Sequence, residues 1–170
     1  MKKILTAVLA LVLVASMTTC ALAATGLGSV TTVTATAAGE KNGSVQVVST
    51  MCAVSLDEEG KISSVTFDVV QPSVSFDTTG AIVGEVAPEV QSKCELGEAY
   101  GMKSISPIGK EYYEQIDALE AWCIGKTVEE VLAAASEDGH IADDVDVKAS
   151  CTISVSELFQ ALEEAAALAK

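Results

Sequence analysis

Apolar and polar residues alternate through much of the first half of the chain and recur every three to four positions through much of the second. Residues 29–37, rich in Val and Thr, read as a strand, and Lys41-Asn42-Gly43 supplies a hairpin turn because Asn and Gly tolerate positive φ. Residues 44–56 form the returning strand. Asp57-Glu58-Glu59-Gly60 closes a second hairpin into residues 61–70, where Val65, Phe67 and Val69 share one face. Pro72 lacks a ladder donor, so pairing shifts or ends there. Val74 and Phe76 resume the alternation, and Asp77-Thr78-Thr79-Gly80 turns the chain into Ala81, Ile82 and Val83. The pattern Asp-x-x-Gly-x-Ile thus occurs twice, and hairpin chemistry explains it, since neither turn has the alternating oxygen ligands of a calcium loop.

Residues 84–107 carry Gly84, Pro88, Gly97, Gly101 and Pro107, which break any long element; they read as a connection over the sheet, long enough to serve binding. Residues 109–124 put Tyr112, Ile116, Leu119 and Cys123 on one helical stripe, with Gly125 where a left-handed C-terminal cap belongs. Thr127 and Glu130 make a capping box for a short helix through Ala135. Ser136 to Asp144 is an acidic turn around Gly139. Residues 145–153 alternate Val145, Val147, Ala149, Cys151 and Ile153 with polar neighbours, the pattern of a half-buried strand. Ser154 and Glu157 then cap a final helix with Leu158, Leu162, Ala165 and Leu168 inside. An antiparallel β-sheet with helices packed on it, an α+β fold, is the expected class.

Residues 1–23 divide into a charged start at Lys2 and Lys3, an apolar run from Ile4 to Ala15, and a small-residue stretch ending Ala21-Leu22-Ala23. That is the layout of a bacterial-type secretory signal peptide cleaved after Ala23, leaving residues 24–170 as one domain, secreted or at the cell surface. Lipidation at Cys20 is the weaker alternative, because Met17-Thr18-Thr19 is a poor approach to a lipidated cysteine. No other segment approaches the ~20 apolar residues of a membrane span.

The chain has 10 basic residues, all Lys, against 24 acidic ones, and a formal charge of −14. That excess excludes a nucleic-acid partner, which needs a basic face to displace counterions. Cleavage would leave Cys52, Cys94, Cys123 and Cys151, enough for two disulfides in an exported chain. Cys52, Cys123 and Cys151 instead keep step with neighbouring apolar residues and read as core thiols.

The informative segment is Asp146-Val147-Lys148-Ala149-Ser150-Cys151-Thr152-Ile153-Ser154, ahead of the last helix. It resembles the flavinylation motif of the FMN-binding domain family, Asp-x-x-Ser/Thr-Gly-Ala-Thr-x-Ser/Thr, whose threonine receives FMN through its phosphate. Asp146, Thr152 and Ser154 match; Ala149, Ser150 and Cys151 replace the family's Ser/Thr, Gly and Ala. The hairpin from Ala53 to Val65 and Gly125-Lys126-Thr127 before an acidic stretch look like other parts of the family. The resemblance implies an FMN-binding-domain-like fold and a cofactor site at Asp146, Ser150, Thr152 and Ser154. Loss of the glycine, added bulk at Cys151 and loss of the Ala149 hydroxyl disfavour covalent attachment at Thr152 and leave non-covalent FMN open, with Ser154 and the following N–H groups as a phosphate site. Against this stands the plainer reading, in which Ser154 and Glu157 cap the helix and Thr152 is a strand residue facing water.

No Arg is present to clamp a phosphate, so Lys103, Lys110 or Lys148 would act as point charges. Tyr100, Tyr112, Tyr113 and Trp122 are the candidate stacking faces, with Tyr112 and Trp122 assigned to the core. His140, the sole histidine, reads as a solvated loop residue, and Glu137, Asp138, Asp143, Asp144 and Asp146 as a solvated acidic face rather than a metal site. Asn42-Gly43-Ser44 matches a glycosylation sequon that the turn already explains. The leading expectation is a secreted flavin-dependent electron-transfer accessory, more a carrier than an enzyme. The alternative is a binding or structural module of the same fold, without flavin, presenting its sheet or middle loop to a small solute or a cell-surface protein. A hydrolase ranks last, because no nucleophile has a base beside it in sequence.

Overall fold

The computed structural model describes residues 23–170; the signal-peptide reading and Cys20 lie outside the described residues, Ala23 excepted. Five antiparallel strands form one sheet: β1 Ala24–Thr36, β2 Gly43–Leu56, β3 Ile62–Val70, β4 Ser73–Phe76 and β5 Ile82–Val83. Helices α1 Lys93–Leu96, α2 Tyr112–Cys123, α3 Val128–Leu132 and α4 Ser156–Leu168 follow, with 3-10 turns at Gly97–Tyr100, Met102–Ser104 and Asp146–Ala149. This is the expected α+β class. No helix among the described residues is long and apolar enough to cross a membrane.

β2 is the central strand. Its residues Ser44–Leu56 pair with β1, while its other edge is shared: Ser49–Leu56 pair with β3 and Gly43–Gln46 with β4. Pro72 makes the division as anticipated, ending β3 and offering its carbonyl to Val47 N–H at 2.9 Å. The repeated Asp-x-x-Gly turns share one geometry. Asp57 Oδ1 accepts from Glu59 and Lys61 N–H, and Asp77 Oδ1 accepts from Thr79 and Ala81 N–H. Bonds from the Thr79 side chain and backbone hold the Asp77 carboxyl below its ordinary range.

The first connection departs from expectation. β1 begins at Ala24, before residue 29, and no residue between 37 and 42 takes a positive φ. Gly43 opens β2 beneath the Phe76 ring, where a Cβ would crowd Cε2 and Cζ.

Core residues lie between the sheet and the helices. Cys52 and Val54 of β2, and Val65, Phe67 and Val69 of β3, meet Ile116, Leu119 and Cys123 of α2 and Leu158 and Leu162 of α4. α4 packs on β1 and β2 at the close range that Gly26 and Gly28 allow, since a Cβ on either would collide with the Ala165 or Ala161 carbonyl. Leu168, expected inside, is 59% exposed beyond the reach of this contact. Gly125 takes φ +80°, and its N–H crosses to the Ile62 carbonyl at 2.8 Å, tying the end of α2 to β3. The Thr127–Glu130 capping box forms, although its helix ends at Leu132 rather than Ala135.

Two expectations about the last third fail. Residues 145–153 are not a strand: Asp146–Ala149 make a 3-10 turn and the chain then runs irregularly to α4. A strand needs an open ladder, and the outer edge of β3 is already taken by other groups. Glu120 accepts Phe67 N–H at 2.7 Å, and Ile62 N–H donates to the Lys126 carbonyl at 2.9 Å. The apolar alternation survives only in part and without any sheet: Val147, Cys151 and Ile153 are buried, while Ala149, expected inside, is exposed at the end of the 3-10 turn. The Ser154–Glu157 capping box is absent as well. α4 starts at Ser156 after Val155 with no side-chain cap, Ser154 Oγ donates to the Gly139 carbonyl at 3.2 Å, and Glu157 accepts from Thr50.

Cys52, Cys123 and Cys151 are buried and unpaired, and Cys94 is half-buried and unpaired. Burial raises the Cys52 and Cys123 thiols from an ordinary 9.0 to about 12. An acid whose folded pKa is raised ionises first in the unfolded chain, so these thiols favour the native state below pH 9 and lose that contribution as pH rises toward 12. Urea midpoints should therefore fall across that alkaline window, and Cys52→Ala/Cys123→Ala should flatten the decline while lowering stability near neutrality. Gly28→Val should cost about 1–3 kcal/mol by overpacking against α4, read as a lower urea midpoint at unchanged slope.

Candidate functional site

A partly open cavity of about 390 Å³ lies where the end of the sheet, the middle connection and the start of α4 converge. It falls within the roughly 300–1,000 Å³ range of sites for small organic ligands. β2 and β3 supply Val48, Thr50 and Val69. The connection supplies Lys93, Tyr100 and Met102, and α2 adds Tyr112. His140 comes from the acidic turn, Thr152, Ile153 and Ser154 from the segment before α4, and Glu157 and Leu158 from its first turn.

The segment carrying Thr152 has no ladder, and the side chain of Gln115 takes the place of one. Gln115 is fully buried on the inner face of α2. Its Oε1 accepts Thr152 N–H at 2.8 Å and the Thr152 hydroxyl at 3.2 Å. Its Nε2 donates to the Lys110 carbonyl and to Ser106 Oγ, each at 3.3 Å. One carboxamide thus joins α2, the connection and the segment before α4. Gly139 anchors the other end: at φ +78° its carbonyl accepts Val155 N–H at 2.8 Å and the Ser154 hydroxyl at 3.2 Å. A side chain there would be strained and would strike Ser156 Oγ.

Of the four residues assigned to cofactor binding, the fold brings Thr152 and Ser154 to the cavity and leaves Asp146 and Ser150 away from its lining. Asp146 is exposed beside Asp143, Asp144 and Lys148 around a shallow depression, because the 3-10 turn swings it to the surface. Ser150 N–H closes that turn onto the Val147 carbonyl at 2.8 Å. Thr152 does not face water from a strand; it is half-buried against Gln115.

The aromatic and cationic assignments divide similarly. Tyr112 is buried, as expected, yet it also walls the cavity with Tyr100, their centroids 5.6 Å apart in an edge-on arrangement. Burial pushes the Tyr112 phenol far above its ordinary range. Tyr113 and Trp122 lie off the cavity; Trp122 is half-buried with Lys126 Nζ 4.4 Å from its ring centroid. Lys103, Lys110 and Lys148 do not line it either, and Lys148 Nζ is spent on the Ile141 carbonyl at 2.7 Å. The lysine that does is Lys93, its Nζ 5.1 Å from the Tyr112 centroid and 5.5 Å from that of Tyr100. His140, read as a solvated loop residue, also lines the cavity, its Nδ1 3.5 Å from Asp138. Hydrogen bonds from the Ser136 hydroxyl and His140 N–H lower the Asp138 carboxyl.

Sequence reasoning passed over Gln115, Lys93 and Thr50. Gln115 left a signal: it interrupts the stripe of Tyr112, Ile116 and Leu119, and a polar residue on the buried face of a helix must find partners there. Lys93 and Thr50 left none, because contacts distant in sequence bring them to the site.

Gln115→Leu should cost about 1–3 kcal/mol, since it strands the buried Thr152 N–H and the groups of the connection. Hydrogen exchange at Thr152 should quicken more than exchange in β2, which separates a local loosening from global instability.

No family model matches the chain, and no solved structure matches it. The chain is similar to a chlorophenol reductase of Desulfitobacterium hafniense, 34% identical over 98 residues. That alignment covers 48% of this chain and 28% of the reductase, so the likeness is to a portion of that protein.

Proposed function

We propose that the cavity is a flavin site, and that the chain is a secreted FMN-binding-type domain carrying electrons outside the cytoplasmic membrane. The observation that carries this reading is the meeting of Thr152 and Ser154, the two motif residues at the cavity, with the rings of Tyr100 and Tyr112 and the ammonium of Lys93. A flat, largely apolar ring needs aromatic and aliphatic walls with a few placed polar groups, and these residues with Val48, Val69 and Leu158 fit that need. FMN supplies the electron chemistry when bound, while the protein sets its exposure and potential. Similarity to part of a chlorophenol reductase agrees with a redox role.

Non-covalent binding is favoured over attachment at Thr152. Its hydroxyl is engaged with Gln115, and the neighbouring Cys151, where the motif has Ala, is fully buried and adds bulk beneath the segment. A second reading, a small-solute binding module of this architecture without flavin, draws on Glu157, whose carboxylate borders the cavity and opposes an anionic ligand.

Purification of the exported chain, with and without a flavin transferase, followed by titration with FMN, tests these readings. The expected result is quenching of FMN fluorescence and a flavin spectrum that survives gel filtration but is lost on denaturation and filtration, at unmodified intact mass. A colourless chain that leaves FMN fluorescence unchanged overturns the flavin reading in favour of the second. A mass increment that disappears in Thr152→Ala overturns the non-covalent assignment alone.

A further inference from the structure

The aliphatic hydroxyls around the cavity, those of Thr50, Thr152 and Ser154, have spent their protons inside the protein. Thr152 donates to Gln115 Oε1, which is fixed as an acceptor because Thr152 N–H points at the same atom at 2.8 Å. Ser154 donates to the Gly139 carbonyl at 3.2 Å, and Thr50 to Glu157 Oε2 at 3.3 Å. What these side chains have left to offer is lone pairs, joined by the Glu157 carboxylate. Glu157 also stands in the first turn of α4, so the positive end of that helix already faces an anion. This wall attracts N–H donors and repels phosphate.

The charge that suits an anion comes from a different element. Lys93, on α1, is the only lysine among the described residues that lines the cavity, and Tyr112 and Tyr100 border its ammonium. Resting on the flavin reading, we infer that the site holds FMN by two separate features: the single imide N–H of the ring donating to an acceptor on the wall of Thr50, Thr152, Ser154 and Glu157, and the phosphate on Lys93. Lys93, and not the N-terminus of α4, decides between a phosphorylated and an unphosphorylated flavin. The arrangement is non-covalent and turns the phosphate away from Thr152.

Fluorescence titration of the full chain with FMN, riboflavin and 3-methylriboflavin, each with native, Lys93→Met, Lys93→Arg and Glu157→Gln proteins, tests this. Near-ultraviolet circular dichroism checks that each variant is folded. The native chain should prefer FMN to riboflavin by about tenfold, the worth of one charge-assisted hydrogen bond. Lys93→Met should abolish that preference by weakening FMN alone, and Lys93→Arg should keep it. Replacing the imide N–H by a methyl group should weaken binding by about tenfold, as expected when an acceptor of the wall loses its donor. Glu157→Gln should weaken both natural flavins together. An FMN preference that survives Lys93→Met, or FMN tightened alone by Glu157→Gln, would put the phosphate at α4 and overturn the inference while the flavin reading stands. If the native chain binds neither FMN nor riboflavin, the flavin reading fails and takes the inference with it.

Discussion

Gln115 is fully buried, and each polar atom of its carboxamide has a partner on another segment: Thr152 on one side, Lys110 and Ser106 on the other. Neither partner segment belongs to the sheet, and neither has a long helix to stiffen it. A buried amide that satisfies several groups at once is worth more than the separate bonds suggest, because the alternative is several unsatisfied groups in a low-dielectric interior. The walls of the cavity keep their relative positions through this side chain. Thr152 owes to it both its depth and the direction of its hydroxyl proton.

Around that point the sheet acts as a platform. The division of β2's edge between β3 and β4 follows from the missing N–H of Pro72. The bare surfaces of Gly26 and Gly28 let α4 settle close to β1, and this docking brings Glu157 within reach of Thr50 on the neighbouring strand. Packing and cavity chemistry are therefore linked: the helix that buries Leu158, Ala161, Leu162 and Ala165 also delivers the carboxylate that sets the polarity of the site. In a chain of formal charge −14, the ammonium of Lys93 against two tyrosine rings is a local exception to the surrounding field.

The thiols belong to the scaffold. Cys52, Cys123 and Cys151 have no exposure, and burial keeps their protons on well above neutral pH. Nucleophilic chemistry needs the opposite environment, electropositive and partly exposed. Cys94 is half-buried, but Asp68 beside it adds to desolvation in pushing its thiol to about 12.

Local rules were readable in the residues alone. The Asp-x-x-Gly turns, the Thr127–Glu130 cap, the break at Pro72, the stripe of α2 and the burial of three cysteines all follow from contacts a few positions apart or from a period set by the backbone. The alternation over residues 145–153 was also readable, but a period of two does not say whether a strand partner exists; with the edge of β3 occupied, Val147, Cys151 and Ile153 are buried without a ladder and Ala149 is left exposed. Thr152 and Ser154, singled out by the motif, line the cavity, whereas Asp146 and Ser150 were carried away from it by a 3-10 turn. Lys93, Thr50 and Gln115 joined the site through tertiary contacts, as Thr152 and Gln115 meet across 37 positions and Thr50 and Glu157 across 107. Short-range geometry belongs to the chain itself, but the polarity of a cavity depends on where each hydroxyl sends its proton, and only the folded neighbourhood decides that.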